Sequence, residues 1–238
     1  MSNTNEPLVQ IGEVSRRDAL RSIALAVTVV AGGQMKLEAA QQVHAHARGE
    51  KKSTGSYTRK LFTEHEFNTL GRLAELIVPA DSVSGSARDA GAPEFIDLLA
   101  SQNEGLGAIF TGGISWLDAE MRHRHSVPFL DAKAEQQTAM LDLLVDAERT
   151  DRERALKGMT YESSEHYKDF QSYGIYAPSD LGPGVVFFDW ARKITVDAFY
   201  TSEIGIKDVD FRGNGSISKY EVPKEVIEYA VKHSPFAS

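Results

Sequence analysis

Hydrophobic residues recur at helical spacing in the stretch that follows Gly182-Pro183-Gly184. Phe187, Ala191, Ile194 and Ala198 stand three or four residues apart, which places them on one side of an α-helix. Glycine and proline at the beginning are typical of a helix start. Because this helix is so apolar, it needs other helices to cover it, and a Gly-rich polar tail follows it.

The same spacing predicts further helices on both sides of this one. Residues 62–78 begin with a capping box between Thr63 and Glu66 and end where Pro79 excludes helical geometry. Other helices are predicted over 93–99, 112–125 and 131–150, within 162–176, and from Pro223 onward. No alternating pattern is long enough for a sheet, although a short hairpin in the tail stays open. The predicted fold class is all-α, an irregular multi-helix domain with long Gly/Pro-containing loops.

Composition narrows the functional classes. The chain has 238 residues, 42% hydrophobic and 25% charged, which is ordinary for a globular protein. Its net charge of −8 argues against a nucleic-acid surface, which requires a basic stripe. Cysteine is absent, so thiolate-held iron–sulfur clusters, covalently attached haem and disulfides are excluded in this chain.

The N-terminal region has the features of an export signal in the expected order. Ser15, Arg16 and Arg17 precede an uncharged run over 23–33, too short to cross a bilayer as a helix, which takes roughly 20 residues. The arginine pair resembles a twin-arginine signal, although Ala19 stands where a large apolar residue is usual. An amphipathic N-terminal helix is the alternative interpretation.

Two places in this region match the small-residue pattern of a processing site. Ala45-His46-Ala47 predicts cleavage after Ala47, and Ala39-Ala40 is a nearby alternative. The basic, Ser/Thr/Gly-containing stretch that follows is typical of a flexible linker. The chain is therefore divided into a twin-arginine-type signal segment over 1–47, a linker over 48–60 and a helical domain over 61–238.

Candidate catalytic and metal-binding patterns are weak. His123 and His125 are two residues apart, so a helix points them to different sides, and a basic helix end explains them better. Residues 210–221 resemble a calcium-binding loop, but Arg212 occupies a ligand position and would repel the cation. No hydrolase, zinc-protease or nucleotide-binding motif occurs. We therefore predict no catalytic, metal-binding or cofactor-binding residue in this chain.

Three segments carry a resemblance to a known family. Residues 62–81, 89–99 and 187–205, the last together with 212–214, resemble the gluconate 2-dehydrogenase subunit 3 family in sequence, order and spacing. The resemblance spans about residues 60–222. It implies a small, non-catalytic, helical subunit of a periplasmic or membrane-attached dehydrogenase complex.

The resemblance also implies a partner. In the family, the catalytic subunit is an FAD-dependent flavoprotein of the glucose–methanol–choline (GMC) type that oxidises sugars, sugar acids or glycosides and passes electrons to a cytochrome c. The small subunit carries the export signal, which Ser15, Arg16 and Arg17 match here, and escorts the folded flavoprotein into the periplasm.

A subunit of this kind acts by burying surface on its partner, and aromatic side chains are the usual anchors of such surfaces. The candidate anchors are Tyr161, Tyr167, Tyr173, Tyr176, Phe199 and Tyr200. Two other functions stay open. The chain could be a stand-alone periplasmic enzyme, or a calcium-responsive helical binding module that uses residues 210–221.

Overall fold

The structure, a computed structural model, describes residues 37–156, 180–210, 222 and 224–232. Within these residues it contains eight α-helices and one 3-10 helix and no β-strand. The helices are α1 (Leu37–Thr54), α2 (Glu64–Ile77), α3 (Ala92–Gln102), α4 (Glu104–His125), α5 (Ala134–Leu156), α6 (Gly182–Tyr200), α7 (Glu203–Asp208) and α8 (Lys224–Lys232), with the 3-10 helix Phe129–Asp131 between α4 and α5. The all-α prediction is confirmed for this part of the chain.

Helix α6 is the central element, as its apolar pattern predicts. It contacts α2, α3, α4, α5 and α7. Phe187, Ala191, Ile194 and Ala198 are all buried, so the predicted stripe is the side that packs against the other helices. The hydrophobic effect of covering this helix from several directions therefore holds the domain together.

Two glycines allow α4 and α6 to approach each other closely. A β-carbon on Gly113 of α4 would overlap the side chain of Phe187, and one on Gly184 of α6 would overlap the ring of Trp116. The Phe187 ring also meets Phe110 edge to face, with centroids 5.8 Å apart. Small residues at these positions therefore set the distance between the two helices.

Helix α2 has the predicted capping box. The Thr63 N–H donates to Glu66 Oε2 at 2.8 Å, and the Glu66 N–H donates to Thr63 Oγ1 at 3.3 Å. The helix ends at Ile77, and its C-cap Val78 stands directly before Pro79. Both ends of α2 are thus determined by local sequence, which explains why the prediction succeeds here.

Helix α4 begins earlier than predicted, at Glu104 instead of near residue 112. Asn103 caps it by accepting the Leu106 N–H at 3.0 Å on its side-chain oxygen. Leu106, Phe110 and Ile114 are buried on one side. Several glycines in the first half weaken the helical pattern, since each costs about 1 kcal/mol relative to alanine. Packing against α6 outweighs that cost.

Buried carboxylates fasten separate elements to one another. Asp97 of α3 is fully buried and accepts the N–H groups of Lys60, Leu61 and Phe62 at 2.6, 3.0 and 3.0 Å and the Tyr57 hydroxyl at 2.7 Å. This single side chain therefore holds the segment between α1 and α2 against α3. Burial also raises the pKa of Tyr57 and keeps its hydroxyl a hydrogen-bond donor.

A second buried carboxylate, Asp118 of α4, joins three elements. It accepts the Phe129 N–H at 2.9 Å and lies 2.5 Å from Nε2 of His65, at the start of α2. In this way α2, α4 and the 3-10 helix share one polar contact. Burying a carboxylate costs free energy unless it is hydrogen-bonded, and Asp118 is hydrogen-bonded.

The N-terminal part differs from the predicted linker over 48–60. Residues up to Thr54 belong to α1, which packs on α3. Ala40, Val43 and Ala47 are buried, and their spacing of three and four residues is that of a helix face. The linker prediction is therefore wrong for residues 48–54, because the basic residues there lie on the exposed side of a packed helix. Among the described residues, none of the helices combines the length and the hydrophobicity that a membrane-spanning segment requires.

Candidate partner-binding surface

The predicted aromatic anchors divide into those the structure describes and those it does not. Tyr161, Tyr167, Tyr173 and Tyr176 lie outside the described residues, as do Ser15, Arg16 and Arg17 of the predicted signal. Phe199 and Tyr200 are the last two residues of α6.

Phe199 and Tyr200 differ in accessibility. Phe199 is 1% exposed and packs inside the domain, so a partner cannot contact it, and its prediction as an anchor is wrong. Tyr200 is 44% exposed, with its ring edge-on to that of Phe199 at 5.0 Å. Successive residues of a helix point about 100° apart, which is why one is internal and the other faces outward. Tyr200 remains a candidate anchor.

Helix α8 presents a second exposed apolar surface, which we call the α8 face and define as Val226, Ile227, Ala230 and Val231. Val226, Ile227 and Val231 are about half exposed, at 53, 49 and 60%. No residue of α8 is buried. The sequence predicts this helix and its apolar side correctly, but nothing in the pattern indicates that the side stays uncovered.

The length of α8 makes its exposure informative. Isolated helices shorter than roughly 12–15 residues are marginal in water, and most helical stability comes from packing of an apolar face. The helix has 9 residues, and its face lies outward. A complementary apolar surface on another molecule would supply the missing packing.

A small cavity of about 160 Å³ lies between α1, the start of α3 and α7. Its walls include His44, Arg48, Lys51, Glu94 and Glu203. Lys51 Nζ lies 2.5 Å from Glu94 Oε1, and Arg48 pairs with Glu203. These two ion pairs join α1 to α7 and to α3.

His44 also lies in that cavity wall. Burial lowers its pKa to about 4, so the imidazole is neutral near pH 7. Its Nε2 lies 3.3 Å from Thr201 Oγ1, and its ring lies 4.8 Å from that of Phe95. These contacts make His44 a packing residue that connects α1 to α3 and to the end of α6.

The histidine pair of α4 lies where a basic helix end is expected. His123 and His125 belong to its last turn, together with Arg122 and Arg124. Positive side chains at the C-terminal end of a helix interact favourably with the helix dipole. In the described part of the chain, no three His, Asp or Glu side chains are grouped so as to hold a metal ion. Apart from Asp210, the calcium-loop candidate over 210–221 lies outside the described residues.

These observations define a class: an all-α domain whose buried polar groups join its helices, and whose exposed apolar residues include Tyr200 at the end of α6 and the α8 face. The chain belongs to the gluconate 2-dehydrogenase subunit 3 family, because residues 64–218, more than half of the sequence, match that family. No curated protein and no solved structure matches the chain. Helices α1 and α8 lie on either side of the matched range.

Proposed function

We propose that this protein is the non-catalytic small subunit of a GMC-type, FAD-dependent dehydrogenase that oxidises a sugar, sugar acid or glycoside in the periplasm. The family match over residues 64–218 carries the proposal, since the family is that of a subunit of a gluconate dehydrogenase complex. In this proposal FAD and the reacting groups belong to the partner, and a cytochrome c accepts the electrons.

The chemistry of the described residues supports an accessory role. The buried carboxylates Asp97 and Asp118 accept hydrogen bonds from backbone N–H groups or lie against His65. Around the cavity at α1, Arg48 pairs with Glu203 and Lys51 pairs with Glu94. Groups engaged in this way hold the fold and are poorly placed to act as acid, base or nucleophile on a substrate.

The exposed apolar residues support a partner. Interface anchors are enriched in aromatic and apolar side chains that become buried on binding. Tyr200 and the α8 face have this character, and both lie outward in the isolated chain. We therefore assign the α8 face, with Tyr200, to contact with the flavoprotein.

The leader adds an export role to this proposal. Ser15, Arg16 and Arg17 resemble a twin-arginine signal, a route that carries folded proteins. A flavoprotein bound to this subunit would cross the membrane with it. The small subunit would then act as an escort as well as a stabilising partner.

Co-expression of the full chain, tagged at its C-terminus, with the flavoprotein tests the subunit assignment. We expect a complex with a flavin absorption band, whereas the chain purified alone is colourless and inactive. Arg16→Lys/Arg17→Lys should leave the complex intact but retain the flavoprotein in the cytoplasm. A colourless preparation, or turnover by the lone chain, contradicts the assignment. Normal export of the partner by the lysine variant contradicts the escort role alone.

A matched pair of variants tests the α8 face. Ile227→Gln places an amide in the face, and Glu228→Gln places the same amide on the neighbouring polar side. We expect Ile227→Gln to weaken binding of the flavoprotein by about tenfold, while Glu228→Gln binds normally. Both should unfold at the wild-type temperature, since both positions are exposed. Equal affinities would show that the partner binds elsewhere.

A further inference from the structure

Helix α1 passes through both processing points that the sequence suggests, after Ala40 and after Ala47. Ala40 and Val43 are fully buried, and Ala47 is 7% exposed. These residues pack on α3. Processing at either point would therefore remove part of the hydrophobic core from the folded domain.

Polar contacts fix the same helix to distant parts of the chain. His44 contacts Thr201, 157 residues further on, and Arg48 pairs with Glu203 of α7. Lys51 pairs with Glu94 of α3, whose side chain is only 11% exposed. Helix α1 consequently reaches this position only when α3, α6 and α7 are folded. Its packing is a property of the folded protein and not of a local hairpin.

A peptidase needs an extended stretch of substrate, so a bond inside a packed helix is cut only after local unfolding. If the chain crosses the membrane folded, as the export part of the proposed function requires, α1 is already packed when processing takes place. The bonds after Ala40 and Ala47 are then protected.

We propose that the mature protein retains α1 and that processing takes place upstream, after Gly33. Ala31 and Gly33 put small residues at the third and first positions before that bond. They directly follow the apolar part of the run over 23–33, where a signal peptide is cut. The new N-terminus, Gln34, stands three residues before Leu37, so the whole of α1 is kept.

The intact mass and N-terminal sequence of the exported protein test this proposal directly. The full chain is produced with its flavoprotein, and the complex is isolated from the periplasm. We expect a small subunit that begins at Gln34. A subunit that begins after Ala40 or Ala47 would show that α1 is cut and not retained whole. One that still contains Ser15 would show that Gly33 is not the processing point.

A second measurement on the purified full chain does not depend on export or on a partner. Val43→Asp puts a charge on the buried side of α1, and Gln42→Asp puts the same charge on its exposed side. We expect Val43→Asp to lower Tm by roughly 5 °C or more and to speed amide exchange in residues 40–47 strongly. Gln42→Asp should behave as wild type.

If Val43→Asp exchanges and unfolds like wild type, α1 is not part of the domain and its retention is refuted. Failure of the flavoprotein to co-purify would contradict the proposed function but leave this result unchanged. The two proposals therefore fail in different experiments.

Discussion

Helices α1 and α8 have similar amphipathic sequence patterns, but the apolar side of α1 is buried and that of α8 is exposed. Each lies outside the range that matches the family, and each carries one apolar side. In α1 that side is buried, with Ala40 and Val43 fully covered, whereas in α8 Val226 is 53% exposed. An amphipathic pattern therefore predicts a helix, but it does not determine whether the same chain or another one covers it.

Length and anchoring explain the difference. Helix α1 has 18 residues and α8 has 9, so α1 offers more surface to the domain. The segment after α1 is also held by the buried Asp97, and α1 itself is paired with α3 and α7 through Lys51 and Arg48. We infer that α1 completes the domain and that α8 is available to a partner.

The largest effect on stability is expected from replacing Asp97, which holds the segment between α1 and α2 against α3. Asp97→Ala leaves the N–H groups of Lys60, Leu61 and Phe62 and the Tyr57 hydroxyl without their acceptor. Each unsatisfied buried donor costs about 1–3 kcal/mol, so we expect a loss of about 3–5 kcal/mol in the free energy of unfolding after relaxation. Urea denaturation measures it, and the exposed Asp142→Ala is the control. A loss below about 1 kcal/mol would show that Asp97 does not anchor this segment.

A smaller loss of stability is expected from a pair of variants that compares α1 with α8 directly. Val43→Ala in α1 and Val226→Ala in α8 remove the same two methyl groups. Because Val43 is fully buried, its truncation should cost about 1–3 kcal/mol in the isolated chain, and that of the exposed Val226 less than about 0.5 kcal/mol. Chemical denaturation of both variants measures the difference. Equal losses would mean that α8 is packed on the domain and is no free surface.

The successes and failures of the sequence predictions have physical causes. Helix α2 is predicted almost to the residue because the capping box of Thr63 and Glu66 and the stop at Pro79 are local signals. The start of α4 is missed because glycines weaken its helical pattern, and at Gly113 the reason for a glycine is contact with Phe187 of the distant α6. A close approach between distant segments leaves no local pattern.

The predicted site residues show the same limit of sequence-based prediction, because burial depends on contacts between distant segments. Phe199 and Tyr200 are neighbours of similar type, and only the direction of α6 makes one internal and the other exposed. In α1, the spacing of Ala40, Val43 and Ala47 was available as a helical signal, but the small residues also fit a processing site. The sequence carries both interpretations, and the packing against α3 favours the helix.

The smallest expected effect concerns the dependence of α1 on pH. Burial lowers the pKa of His44 to about 4 from an ordinary value near 6.5. Between these values the unfolded chain binds a proton that the folded chain does not, so stability falls as the pH drops from 6.5 to 4. Burial also raises the pKa of Asp197 in α6 to about 6, which has the opposite sign, since the folded chain then binds the extra proton. These two contributions offset each other to within about 1 kcal/mol.

Asp197→Asn separates these contributions because asparagine resembles the neutral form of the carboxyl. The variant should be more stable than wild type at pH 7 by about 1–2 kcal/mol. This advantage should disappear as the pH falls through 6 toward 4, where Asp197 itself becomes protonated. The variant should therefore lose stability more steeply over this range, because the opposing contribution of Asp197 is absent, and α1 should be the first helix to exchange its amides. Urea denaturation from pH 7 to 4 tests this, with the exposed Asp142→Asn as the control. Parallel curves for wild type and Asp197→Asn would show that Asp197 keeps its ordinary acidity, and a flat curve for the variant would show that α1 remains packed when His44 is protonated.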